Sequence, residues 1–512
     1  THRGEACPQL TRNGRGPAGY VGGVNDRGTE SWDVIVIGGG PPGEVAAQTA
    51  IEGSDRTAVI VEQELVGGEC SYWACMPSKA LLRPLEVLDA ARDMAGTRDV
   101  VGPLIDVAQV LARRDSFTSH HDDTSQVEWA RGAGIDVVRG RGRLAGQRTV
   151  EVTASDGTVR TLRARHAVVL ATGTSAAVPP VDGLRQALPW TSRDVTNLHE
   201  VPRRVLVIGG GVVACEASTW LVGLGVEELT LIETGPALLG RNEPFAGQMV
   251  ADHFEKLGVR VVLGATVDAV SRLDPSDTGE GHVHGGEATV AAGDVTVTVD
   301  EIVVAAGRRP NSADLGWDTV GASVDHYVIV DDHLNVVGVD GTWLYAVGDL
   351  NGRALLTHMG KYQARIAGAV IAARAEGRPL DGPAYVDQAD HDKVPQVTFT
   401  EPQVASVGLT EAEARKAGMD VETVEYDLGA VAGSALLRDG YTGRAKLVID
   451  RPAEVIVGAT FVGPEVAELV HAATIAVVGR VPLSVLWHAV PSYPTVSEIW
   501  LRLLETRAAN NR

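Results

Sequence analysis

Aromatic residues make up only 4% of this 512-residue chain, and cysteine occurs four times, at Cys7, Cys70, Cys75 and Cys215. So few thiols cannot staple a secreted disulfide framework of this length; a reducing cytoplasm is the expected compartment, and a close pair of cysteines gains chemical interest. Long hydrophobic runs are also missing. Stretches such as Val205–Ile208 and Val212–Cys215 are broken by glycine, far below the ~18 residues that cross a bilayer. Residues 1–30 are rich in Gly, Arg, Asn and Thr and hold none of the ~7–15-residue apolar core of a secretory signal. A disordered extension over residues 1–31 is expected. Positive charge is in deficit, with 45 Lys+Arg against 66 Asp+Glu and a net charge of −21. Such a surface repels phosphate backbones and anionic headgroups, so neither nucleic acid nor membrane is an expected partner.

What is present is the composition of an ordinary globular protein, 44% hydrophobic and 22% charged, at a length that implies several domains. One arrangement occurs twice. Asp33-Val34-Ile35-Val36-Ile37 runs into Gly38-Gly39-Gly40-Pro41-Pro42-Gly43 and an alanine-rich helix start, and Val205-Leu206-Val207-Ile208 runs into Gly209-Gly210-Gly211-Val212-Val213-Ala214. A strand-ending acid follows each at the same interval, Glu62 after Gly38 and Glu233 after Gly209. A glycine turn alone is weak evidence; strand before, helix after and an acid on schedule make each copy a dinucleotide-binding fingerprint. Gly38 and Gly209 permit the tight turn, Gly40 and Gly211 let backbone approach a pyrophosphate, and Gly43 and Ala214 keep the third position small. Phosphates then meet the N–H groups at the helix start. Glu62 and Glu233 would accept ribose hydroxyls, and Glu233 would repel a 2′-phosphate, favouring NAD over NADP, although Ala214 is also frequent among NADP-binding proteins.

After the first acid comes Gly67-Gly68-Glu69-Cys70-Ser71-Tyr72-Trp73-Ala74-Cys75-Met76-Pro77-Ser78-Lys79. On a regular helix, cysteines five apart have Cα atoms roughly 8 Å apart, beyond the about 4.4–6.8 Å of a disulfide. Bridging them needs a distorted helix start, and Pro77 contributes by denying a hydrogen bond to the Trp73 carbonyl. By itself the spacing equally suits two buried apolar fillers; behind a dinucleotide fingerprint it suggests redox chemistry.

From about residue 32 to 505 the sequence resembles the flavin-dependent pyridine nucleotide-disulfide oxidoreductases, the group of dihydrolipoamide dehydrogenase, glutathione reductase and mercuric reductase. The resemblance rests on both fingerprints, the Cys70–Lys79 block, Ala171-Thr172-Gly173, Ala306-Gly307-Arg308-Arg309-Pro310-Asn311, Tyr345-Ala346-Val347-Gly348-Asp349 and Pro494-Thr495-Val496-Ser497-Glu498. It implies an α/β fold with two Rossmann-like domains, for FAD and NAD(P), plus a C-terminal α+β dimerisation domain. The implied segments are 32–186 and 309–386 for FAD, 187–308 for NAD(P) and 387–512 for dimerisation. Electrons would pass from NADH, or NADPH, through FAD to a Cys70–Cys75 disulfide and on to a small-molecule acceptor. Cys75 would face the flavin and Cys70 would exchange with substrate. Lys79, paired with Glu216, would stand near the reactive flavin nitrogen, where an ammonium favours the reduced ring. Asp349 would bond the ribityl chain, and Gly68, Thr172, Gly173, Gly307, Arg308 and Gly348 complete the implied cofactor contacts. A homodimer is implied, with Cys70 of one subunit facing Tyr493 and Glu498 of the other.

The departures from the family bear on the acceptor. Disulfide-reducing members place a His before Pro-Thr, oriented by a Glu five residues on; here Tyr493 takes the place of that His and Glu498 that of the Glu. A phenol of pKa about 10 is a poor acceptor for a thiol proton near neutrality. His488, five residues upstream, is a substitute base or a surface histidine. Mercuric reductases share the Tyr but add a C-terminal cysteine pair for the soft ion, which the run Glu505–Arg512 lacks; no metal site is expected. Glu69 replaces a common Thr beside the outer cysteine, where it would raise the thiol pKa if buried or do little if solvated. Electron acceptors other than disulfides (quinones, dyes, metal ions) and a non-catalytic flavoprotein subunit are the alternative readings. Helical periodicity runs through residues 84–131, with a strand at Lys446–Ile449 and a helix from Glu465 to Val478.

Overall fold

The structure, a computed structural model, describes residues 23–24, 30–102 and 104–511; most of the expected extension, with Cys7, lies outside the described residues. In chain order, β1 (Glu30–Ile37), α1 (Pro41–Ile51) and β2 (Ala58–Glu62) are followed by two helices, α2 (Gly68–Tyr72) and α3 (Cys75–Arg92). Then come β3 (Ile135–Arg139), β4 (Arg141–Leu144), β5 (Thr149–Thr153) and β6 (Val159–Leu170). The second round is β7 (Arg204–Ile208), α4 (Val212–Gly223), β8 (Glu228–Glu233), β9 (Arg260–Leu263) and β10 (Glu301–Val304). β11 (Leu344–Ala346) and α5 (Thr357–Ala375) precede the last group, β12 (Pro395–Thr398), β13 (Gln403–Gly408), β14 (Val421–Asp427), β15 (Arg444–Asp450) and β16 (Val455–Gly463). α6 (Leu469–Val478) and α7 (Ile499–Asn510) close the chain.

The chain divides into two compact units. The first, residues 1–76, 115–175 and 308–390, is built on a sheet of order β3-β2-β1-β6-β5-β4, with β11 paired to β6. β1, β2, β3 and β6 run parallel. Strands covered on both faces need continuous apolar runs, not alternation. Val34, Ile35 and Val36 are accordingly 0% exposed, each worth roughly 1.5–3 kcal/mol relative to exposure. α1 turns its alanines, Ala46, Ala47 and Ala50, into this core. It also packs closely on α5: a Cβ on Gly360 would stand 2.7 Å from Pro42, and one on Gly368 2.6 Å from Thr49.

The second unit, residues 77–114, 176–307 and 391–512, holds the parallel sheet β9-β8-β7-β10, a three-stranded antiparallel meander (Ala269–Arg272, Ala288–Ala292, Val295–Val299) and the five-stranded antiparallel sheet β12-β13-β16-β15-β14. α6 and α7 cover that last sheet around Phe461, Leu503 and Ala473. The strand expected at 446–449 extends over Arg444–Asp450. The helix expected from Glu465 starts at Leu469, because Glu465 takes a left-handed φ of 55° and a short 3-10 turn, Val466–Glu468, intervenes.

Candidate active site

The first fingerprint has the geometry that a bound dinucleotide requires. Gly38 sits at φ +105°, where a Cβ would come 2.3 Å from the Ala171 carbonyl oxygen, and a Cβ on Gly43 would come 2.0 Å from the Gly38 oxygen; only glycine is tolerated at either place. Gly40 caps α1 without a side chain, and Pro41 opens the helix, leaving backbone N–H groups for an anion. Gly68, at φ +57°, brings its backbone against Gly40. Glu62 ends β2 with one carboxylate oxygen accepting the Gly39 N–H at 2.6 Å and the other the Glu64 N–H at 2.7 Å; burial raises its pKa. Thr172 is stapled to the Arg308-Arg309-Pro310-Asn311 run: Thr172 Oγ1 donates to the Asn311 carbonyl at 2.9 Å, Asn311 Nδ2 returns a bond to the Thr172 carbonyl at 2.9 Å, and Asn311 N–H reaches the Gly173 carbonyl at 3.0 Å. Asp349, pushed up by burial, accepts from Thr174 Oγ1 at 2.9 Å. Arg308 donates to the same Thr174 hydroxyl and to its carbonyl. An open helix start, a glycine cradle and a fixed strand-end acid fit FAD, which when bound carries an electron pair between nicotinamide and disulfide.

Cys70 lies in α2 and Cys75 opens α3, and the chain breaks between the helices at Trp73 (φ −130°, ψ 0°). That break replaces the regular helix on which the two sulfurs would be too far apart. It is braced by aromatic packing: the Trp73 and Tyr72 rings stand 5.7 Å apart, His121 packs 5.5 Å from Trp73, and Tyr72 donates to the Val66 carbonyl at 2.9 Å. The Cys70 thiol is raised by a hydrogen bond with Cys75, by burial and by the Cys75 charge, while Thr357 and Lys361 act in the opposite direction. Cys75 Sγ lies 3.3 Å from Thr357 Oγ1, and Thr357 is the first residue of the 19-residue α5, whose amino end favours negative charge. Glu69 is compensated: its carboxylate stands 3.7 Å from the Arg308 guanidinium.

In the second unit, Gly209 repeats the turn at φ +119°, where a Cβ would stand 2.5 Å from the Ala305 oxygen, and Gly211 faces open space. Glu233 accepts the Gly235 N–H at 2.6 Å, and Ala214 is fully buried. Gly307, at φ +124°, likewise has open space where a Cβ would be. Lys79 and Glu216 meet, Nζ to Oε2, at 2.7 Å. The other Glu216 oxygen accepts the Phe399 N–H at 2.9 Å, and Lys79 Nζ lies 4.9 Å from the Phe399 ring centre. Cys215 is wholly buried, and burial raises its thiol far out of the reactive range.

At the C-terminal motif the Tyr493–Pro494 peptide is cis and Tyr493 is 76% exposed. Glu498 is buried; Arg502 bonds its Oε1 at 3.3 Å, while Oε2 is buried without a hydrogen-bond partner. The acid that would orient a histidine is in place, with an acceptor oxygen unused. His488 is exposed. Sequence reasoning missed Thr357, Thr174 and Phe399. Only the motifs they touch are recognisable, and Thr357 stands 282 positions from Cys75.

Among the described residues no cluster could hold a metal ion and no helix is long and apolar enough to cross a membrane. The family model for pyridine nucleotide-disulphide oxidoreductases matches residues 32–377, and the model for their dimerisation domain matches 394–503. Dihydrolipoyl dehydrogenase of Chlamydia muridarum is 30% identical over 482 residues, 92% of this chain and 96% of that protein. Mercuric reductase of Staphylococcus aureus is 29% identical over 471 residues, 91% of this chain and 81% of that protein. The HOCl-induced flavoprotein disulfide reductase RclA of Escherichia coli shares the fold, with a TM-score of 0.78 at 22% identity over 93% of this chain and 99% of that chain. The chain thus belongs to the pyridine nucleotide-disulphide oxidoreductase family and is an FAD-dependent enzyme that takes electrons from NAD(P)H to a redox-active disulfide.

Proposed function

We propose that Cys70 and Cys75 are that redox pair, that NADH is the preferred donor, and that the enzyme works as a cytoplasmic homodimer on a small disulfide or a comparable small acceptor. In this reading residues 32–186 and 309–386 form the FAD domain, 187–308 the nicotinamide domain and 387–512 the dimer interface. Gly38, Gly40, Gly43, Glu62, Gly68, Thr172, Gly173, Gly307, Arg308, Gly348 and Asp349 hold FAD. Gly209, Gly211, Ala214 and Glu233 hold the nicotinamide dinucleotide. Lys79, paired with Glu216 at 2.7 Å, serves the flavin ring.

The observation that carries the reading is the hydrogen-bonded cysteine pair set against Thr357. Two electrons and one proton convert the Cys70–Cys75 disulfide to a thiol and a thiolate. Cys70 then attacks the acceptor disulfide, whose S–S bond breaks, and the proton of its thiol passes to the departing half. The Cys75 thiolate attacks Cys70 in the mixed disulfide, releasing the second half and restoring the pair. Tyr493 in the place of a histidine removes the strong proton acceptor, and this favours acceptors whose leaving groups are acidic, or that need no thiol deprotonation, over an alkyl dithiol such as dihydrolipoamide.

The test is an acceptor series, from lipoamide through aromatic disulfides to quinones, run with wild type, Cys70→Ser and Cys75→Ser. The account expects aromatic disulfide turnover to vanish in both variants. Full turnover in the Cys70→Ser, Cys75→Ser double variant would transfer the site to the flavin itself, with quinones or metal ions as acceptors.

A further inference from the structure

A glutamine amide buried away from water needs hydrogen-bond partners at both of its ends. Gln363, on α5, is 0% exposed, and its two ends meet partners of opposite kind. Its Oε1 accepts the Gly348 N–H at 2.9 Å and Asn351 Nδ2 at 2.9 Å. Its Nε2 donates to Asp390 Oδ2 at 3.4 Å. Turned over, the same amide would set its NH2 against two donors and its carbonyl against a carboxylate, so its orientation is fixed. Asp390 is held in its turn: its side chain is 2% exposed, and Oδ2 accepts Arg353 Nη1 at 3.4 Å.

Gly348 and Asn351 are the first and last residues of one short 3-10 turn, and Asp349 lies between them. A single oxygen of Gln363 thus ties both ends of the turn that carries the acid of the flavin site. α5 comes close enough because Gly360 shares a face with Gln363, and a Cβ at Gly360 would stand 3.1 Å from Gly348 Cα. The turn opens on a glycine at φ +73°, the residue type with the most conformational freedom to lose. Thr174 Oγ1 holds the Asp349 carboxylate at 2.9 Å, and Gln363 holds the backbone on either side of it.

We propose that Gln363 is a positioning residue of the flavin site, its amide pegging the Gly348–Asn351 turn so that the Asp349 carboxylate is already aimed when FAD binds. This rests on the reading in which Asp349 holds FAD. Gln363 acts through that carboxylate. Without the peg the turn spreads over several arrangements, and the apparent affinity for FAD falls in proportion to the fraction that still fits the cofactor.

The test is the FAD dissociation constant of the holoenzyme, from the flavin fluorescence released on dilution, measured beside the Tm in saturating FAD. Gln363→Met keeps an unbranched side chain of similar size and removes both polar ends. It is expected to weaken FAD binding about tenfold, the effect of leaving roughly one turn in ten competent. Gln363→Glu keeps the accepting oxygen but sets a second carboxyl against Asp390, and is expected to weaken binding as well. Adding Asp390→Asn to it restores a donor facing an acceptor, and this double variant is expected to recover most of the loss. A role in packing alone would lower the Tm of the variants and leave the dissociation constant unchanged; that result overturns the proposal, as does a double variant that binds FAD no better than Gln363→Glu. Asp349→Ala separates the proposal from the reading beneath it. If Asp349→Ala weakens FAD binding and Gln363→Met does not, the proposal alone fails; if Asp349→Ala binds FAD as wild type does, the assignment of Asp349 fails.

Discussion

The two fingerprints make nearly the same turn and then diverge along the helix that follows. Gly38 and Gly209 hold φ of +105° and +119°, each with a backbone oxygen where a Cβ would be, and each strand-end acid is fixed by a backbone N–H at 2.6 Å. The third small position, however, is Gly43 in one and Ala214 in the other. The residue after it is Glu44 in the first copy and the buried thiol Cys215 in the second. The shared part is what any dinucleotide demands of a backbone. The divergent part is chemistry: the first copy puts a titratable carboxyl at this step, raised by burial, whereas the second fills the same step with a buried, unreactive thiol.

The largest effect should come from removing the tighter of the two turns. Gly43→Ala would set a Cβ 2.0 Å from the Gly38 oxygen; overpacking of this kind costs about 3 kcal/mol or more. Loss of bound flavin absorbance and a lower Tm are expected, and a fully flavin-loaded variant of unchanged Tm would contradict the geometry. Next in size is Glu44→Gln. Burial holds the Glu44 carboxyl at about 7, above its ordinary 4.5, so its contribution to stability is intact below about 4.5 and is lost as pH rises through 7. Gln cannot ionise. Urea unfolding should therefore show the variant up to about 3 kcal/mol more stable than wild type at pH 8, with the gap closing toward pH 4.5; a pH-independent difference would refute the burial argument.

Smaller again is Glu233→Ser, which removes the carboxylate that repels a 2′-phosphate. The ratio of kcat/KM for NADPH to that for NADH should rise about tenfold, roughly 1.4 kcal/mol; an unchanged ratio would place donor selection elsewhere. Smallest is Ala214→Gly, expected to lower stability by about 0.5–1 kcal/mol with the nicotinamide site intact. A loss as large as that of Gly43→Ala would erase the distinction between the two copies.

The turns, their acids and the cysteine pair were legible because each is a local constraint written in consecutive residues. The pairing of Lys79 with Glu216 was legible only through the family resemblance, and the structure brings the two together at 2.7 Å. Thr357 and Lys361 were not legible. They open an ordinary alanine-rich helix, and nothing in their neighbours signals that α5 ends against sulfurs 282 positions away in sequence. Glu44 reads in sequence as an acid in a first helical turn, a favourable place for surface charge, and only the packing of α1 on α5 buries it. For Glu69 the sequence offered burial or solvent, and the structure supplies a third answer in Arg308. The late start of α6 has a similar origin, since no pattern in the run from Glu465 marks that residue as left-handed.

The central claim is that electrons from the nicotinamide come to rest on Cys70 and Cys75, and anaerobic titration of the flavin-loaded protein with NADH tests it most directly. The account predicts a long-wavelength flavin-thiolate absorbance band after the first equivalent, with two new titratable thiols that map to Cys70 and Cys75. Complete bleaching of the flavin by the first equivalent, with no such band and no new thiols, would contradict it.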